Sequence, residues 1–240
     1  MIDLIRNQDR RLRYGVRALA EVAIIFTGIT ISFLFDEWKQ DRELTSRKTA
    51  MVKAIMTDLT TKKDELLSDT PACTLWINRL DSMQQERIRN ELSEAHLLWL
   101  NKIINSGDIF FFSPETEAYS SAQSTEVFQH LPDSLRRGMH KVFKESFAYN
   151  EMAYTQTRMV ITNFRNNFVV PNGTMFTHHS GQLSKEDFTA MRDELKRPQY
   201  ANFFRAIIML EEKLKDHNLA SIAAISKLQA SLQAYLEQAG

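Results

Sequence analysis

One cysteine, Cys73, stands in 240 residues, so no disulfide can form within the chain and the fold must be held by side-chain packing. A lone thiol of this kind reads as a small buried residue. Glycine and proline are also scarce, at 7 and 5. They fall between periodic stretches, where they act as punctuation, and the long unbroken segments left over point to an all-α fold. Neither sign of charge is in excess: 30 Lys and Arg balance 30 Asp and Glu, so nothing recommends nucleic acid as a partner. The nucleophile elbow GxSxG, the phosphate loop GxxxxGKS, the fingerprint GxGxxG and the ligand sets HExxH and CxxC are all missing. His178 and His179 adjoin, and His130 and His140 stand ten apart with Glu151 beyond them. Neighbouring histidines point different ways from a backbone, so no metal and no other cofactor is expected.

What the chain does have is one apolar run, Val22 to Phe35 (VAIIFTGITISFLF), free of charge throughout. A bilayer core takes about 20 mostly apolar residues in helix, and residues 18–38 approach that length with Glu21 at one rim and Trp38 at the other. A buried helix of a soluble domain would account for the run alone, but not for its flanks. Arg6, Arg10, Arg11, Arg13 and Arg17 precede it, while Asp36, Glu37 and Asp41 lead on the other side. Arginines close to a span are retained in the cytoplasm, so the N-terminus is expected inside and the rest outside, with Trp38 as the interfacial anchor. A cleaved signal peptide fits poorly, because Glu21 interrupts the apolar core and no small-x-small site follows. The expectation is an uncleaved signal anchor: residues 1–17 cytoplasmic, 18–38 transmembrane, 39–240 an extracytoplasmic helical bundle.

Within the span, Gly28 and Ser32 stand four apart on one face, as small residues do where two membrane helices approach closely. Glu21 is open to two readings, a pair with Arg17 one turn earlier or a contact with another membrane helix.

Beyond Trp38 the membrane helix should continue through Leu44, Met51, Ile55, Leu59 and Leu66 until Asp69, Thr70 and Pro71 break it. A second helix is expected from Thr74 to Leu92 around Trp76, Ile77, Leu80 and Met83. A third carries Leu97, Leu98, Leu100, Ile103 and Ile104 and ends at Gly107. Ser113 with Pro114 reads as a helix start, and Pro132 as another, opening a long helix with Leu135, Met139, Phe143, Phe147, Tyr154, Ile161, Phe164 and Phe168 on one stripe. Pro171, Asn172 and Gly173 make a turn. Ser184 with Asp187 reads as a capping box opening a helix through Leu195. Pro198 opens the last helix, striped by Phe203, Phe204, Ile207, Leu210, Leu214, Ile225, Leu228, Leu232 and Tyr235.

Glu21, Gly28 and Trp38, followed by a mixture of acidic and basic residues, resemble the anchor of an uncharacterised family of bacterial single-pass membrane proteins. The stretch EAYSSAQSTEVFQHLPDSLRRGMHKVF resembles that family's second recurrent segment, with Ser120, Ser121, Val127, Phe128, Leu135 and Arg136 at the matching places and Ala122 where glycine is expected. The likeness covers about half the chain. It implies an inner-membrane location and a helical body, and no catalytic residue.

The expected role is therefore non-enzymatic: a membrane-tethered interaction or scaffold module whose partners are the lipid bilayer and a second copy or another envelope protein. The alternative is a tethered sensor whose body binds a small ligand or lipid and signals through a partner, since about 17 residues before the span are too few for an output domain.

Overall fold

A computed structural model describes residues 2–89, 91–105, 112–114, 116–173, 176 and 184–239, with side chains from Glu21 to Gln238. The described residues are helical, with no strand among them. Helices α1 (Ile2–Arg89), α2 (Glu94–Asn105), α3 (Glu117–Gln123), α4 (Glu126–Gln129), α5 (Asp133–His140), α6 (Phe147–Phe164), α7 (Lys185–Glu194) and α8 (Pro198–Ala239) follow in order. Two π-helical turns, Lys141–Ser146 and Arg165–Val169, flank α6. The chain divides at Ala50 into two units.

The first unit is helix throughout its described length. Nine large apolar side chains between Val22 and Phe35 are 51% to 71% exposed. Its hydroxyls turn back on the helix: Thr27 donates to the Ala23 carbonyl at 2.8 Å, Thr30 to Phe26 at 2.9 Å and Ser32 to Gly28 at 2.9 Å. Among the described residues no helix is long and apolar enough to cross a membrane. Of the span expected at residues 18–38, side chains are described from Glu21 onward.

The second unit, Met51 to Gln238, is built on three long helices. Val52, Ile55, Leu59, Leu66, Cys73, Trp76, Leu80 and Met83 are buried along α1, at spacings that keep to an alternation of three and four once Lys62 and Asp69 are counted in. That seam runs unbroken past Pro71, which corrects the expected helix end: α1 continues to Arg89, and the segment expected as a second helix is its last part. The proline is exposed, as is Leu67, whose carbonyl loses its donor, so the missing bond faces water. Thr70 reinforces the same turn by donating to the Leu66 carbonyl at 2.7 Å.

Two apolar clusters fill this unit. One gathers Val52 to Cys73 of α1 with Leu135 to Tyr154 and with Leu214 to Leu232 of α8; the other gathers Trp76 to Met83, Ile161 and Tyr200 to Ile207. Hence α1 and α6 run the same way and α8 runs the opposite way. The π turn at Lys141–Ser146 has a cause in the sequence. Leu135, Met139, Phe143 and Phe147 repeat every four residues, overshooting the α-helical period, and a wider turn keeps them on one face.

The other expectations divide. The capping box at Ser184 and Asp187 is present, and Gly173 ends its turn at φ 56° as the left-handed region requires. Ser113 and Pro114 open no helix: α3 begins at Glu117, and Asp58 of α1 accepts from the Ala118 N–H at 3.0 Å in place of a local cap. Pro132 stands one place before α5, its carbonyl taking the Leu135 and Arg136 N–H groups. Leu98 is exposed and Ile77 half-buried. Gly107, His178 and His179 lie outside the described residues.

Candidate functional site

Where the two apolar clusters meet, the inward positions of all three long helices turn polar. On α6, Asn150 and Thr157 alternate with Phe147, Tyr154 and Ile161; on α8, Glu211, Asn218 and Ser221 interrupt Ile207, Leu214 and Ile225. The spacing is that of the apolar seam, so these residues are buried by position and not by accident of size. Five side chains join in a chain of four hydrogen bonds. Ser221 Oγ donates to Asn150 Oδ1 at 2.9 Å, Asn150 Nδ2 to Asn218 Oδ1 at 3.0 Å, Asn218 Nδ2 to the Tyr154 hydroxyl at 3.4 Å, and that hydroxyl to Asp69 Oδ2 at 2.6 Å. Burial pushes the Tyr154 phenol well up, and the hydrogen bond to Asp69 adds to it, so the hydroxyl stays a donor.

The other end of the layer is unlike this. Glu211 has no exposed surface, and no N–H or O–H group reaches either carboxylate oxygen. Burial lifts its pKa to about 7 even against the adjacent Cys73 thiol, whose hydrogen bond favours the carboxylate and which is itself pushed up by burial and by Glu211. The Thr157 hydroxyl is also buried without a partner.

A second feature lies on the surface of the same unit. Tyr119, Gln123 and Phe128 on one side and Asp133, Arg136, Arg137, His140, Lys141 and Glu145 on the other line a groove of about 530 Å³. Tyr119 stacks on Phe143 at 4.2 Å between ring centroids, which fixes the apolar wall, and Gln123 donates to its hydroxyl at 2.7 Å. Arg136 pairs with Asp133 and donates to Gln129 at 2.9 Å. Arg137 and Lys141 make no ion pair among the described residues. The groove uses the segment around Ser120, Ser121 and Arg136. The turn after its serine pair needs no glycine, because the Ala122 carbonyl accepts both the N–H and the hydroxyl of Thr125, at 2.9 and 2.7 Å.

The residues singled out from the sequence stand in the first unit. Gly28 has nothing within 4 Å of an added Cβ, and Ser32 is held by the Gly28 carbonyl. Glu21 is engaged, not free. Trp38 lies 5.7 Å from Phe35 and carries the Arg42 guanidinium 5.3 Å above its ring. The side chains of Arg10, Arg11, Arg13 and Arg17 fall outside those described. His130 sits 3.8 Å from Glu126, while His140 lines the groove, and no group of three or more metal-ligating side chains occurs among the described residues. The buried layer went unread because a search for apolar stripes passes over polar residues in step with them. Asn150, Asn218 and Glu211 at core spacing were the available signal.

No family model, no curated protein and no solved structure matches this chain.

Proposed function

We propose that this chain is a non-enzymatic, single-pass protein of a bacterial inner membrane, with its N-terminus inside and its helical body outside as an interaction module for a second copy or another envelope protein. One observation carries the reading: the apolar side chains from Val22 to Phe35 are exposed on every side of their helix. Apolar surface of that extent needs an apolar surrounding. The inward-turned hydroxyls of Thr27, Thr30 and Ser32 agree, since a polar group in lipid must be satisfied by its own helix. Residues 18–38 in helix measure about 30 Å, the thickness of a hydrocarbon core. Trp38 under Arg42 suits the outer rim. On α6, Tyr149, Met152 and Met159 stand exposed and offer a partner an apolar face.

Alkaline phosphatase fused after Gly240 should be active, and the same reporter within the first 15 residues inactive. An inactive C-terminal fusion on a stably expressed chain would sink the outside-body reading.

The groove favours a second reading, a tethered sensor. Arg137 and Lys141, which form no ion pair among the described residues, stand beside an aromatic wall and suit a small anion or a lipid headgroup. Under that reading Arg137→Glu loses ligand binding but keeps every co-purifying protein.

A further inference from the structure

Glu211 is the buried charge-bearing group that neither reading uses. Its neighbours along the α8 seam, Ile207 and Leu214, belong to different apolar clusters, so the carboxyl stands at their junction. From α1 the groups that bear on this site are the Cys73 thiol and, through it, the Asp69 carboxylate; α6 brings the Tyr154 phenol, which interacts with Cys73, and places the buried Thr157 one step further along its seam. On α8 itself Glu212, Lys213 and Asp216 face solvent, and His217 stacks on Tyr149. No lysine or arginine perturbs the carboxyl. Ionised in this place it would have only the weakly donating Cys73 thiol to answer its charge, which a closed bundle tolerates poorly.

We propose that Glu211 is a proton-operated latch: protonated, it lets the two clusters close over the polar layer, and deprotonated, it draws water between α8 and α1 beside Cys73 and loosens the bundle there. The proton passes to solvent, and the carboxylate left behind is hydrated in the opened layer. Burial sets the transition near neutrality, with the group's pKa lifted to about 7.

The chain's single cysteine is a built-in probe, since Cys73 is fully buried in the closed form. Full-length chain in mild detergent is alkylated with N-ethylmaleimide from about pH 5.5 to 8.5, a range that brackets the transition. Each rate is divided by that of the urea-unfolded chain at the same pH, which removes the thiol's own titration. Protection of the wild type should fall about tenfold across the range, while Glu211→Gln and Glu211→Leu stay flat. Amide protection, each rate divided by the intrinsic rate at its pH, should drop in residues 207–218 with the fall, while residues 225–232 keep theirs. Unchanged wild-type protection overturns the proposal, whatever the variants do. So does an equal fall in either folded variant, or amide protection that drops evenly along α8, which would mark global unfolding.

Discussion

At Gly28 an added Cβ meets nothing within 4 Å beyond its own stretch of helix, so a substitution there disturbs no packing among the described residues. A loss of association would then report on a second molecule. If this face packs against another membrane helix, Gly28→Ile should abolish self-association in a bacterial transmembrane reporter, or release a co-purifying partner, while Ile25→Leu leaves both unchanged. Equal signal from wild type and Gly28→Ile would leave the segment a plain anchor. Glycine and serine at spacing four were legible as a pattern from the residues alone; that Ser32 donates to the Gly28 carbonyl, and so carries no free hydroxyl, was not. The same limit hid the inner layer. Asn150 and Asn218 stand at core spacing, but that they bond to each other shows only when two helices distant in sequence are laid side by side.

Among the elements, α1 departs furthest from expectation. Asp69, Thr70 and Pro71 carry every local sign of a helix end, yet the apolar seam keeps step on both sides and tertiary packing prevails over local preference. A proline in a helix interior costs about 3 kcal/mol relative to alanine, and here it serves no visible turn. Pro71→Ala should therefore raise the denaturation midpoint, by about 1–3 kcal/mol in stability, with the far-ultraviolet spectrum unchanged. A lower midpoint would mean that the proline holds a bend the bundle needs. The ends of α7 and the stripe of α8 were readable in advance, because a capping box and a long amphipathic pattern are local features. The start of α3 was not, since its cap comes from Asp58 on another helix.

At the scale of the molecule, the unit from Met51 to Gln238 holds both apolar clusters, so a chain beginning near Gln40 should fold without detergent. Circular dichroism should give a mainly helical spectrum and one cooperative melt; gradual loss of signal would refute the assignment. Its stability should also depend on pH through Glu211. Below about pH 4.5 the carboxyl is protonated folded and unfolded alike; from there to about 7 only the unfolded chain ionises, so stability falls as pH rises and then levels. The loss is on the order of 3 kcal/mol, and Glu211→Gln should remove the slope. The chain from Ser221 to Asp69 has a different consequence. An apolar seam repeated at three and four residues looks the same one heptad up or down, and hydrocarbon alone cannot tell α8 where to stop. A slip of seven residues puts Ile225 and Leu228 where Asn218 and Ser221 stand, stranding both the oxygen and the nitrogen of the Asn150 amide at about 1–3 kcal/mol for each unmet group. The hydrogen-bonded layer is thus an index mark that permits one register among several the hydrocarbon would accept.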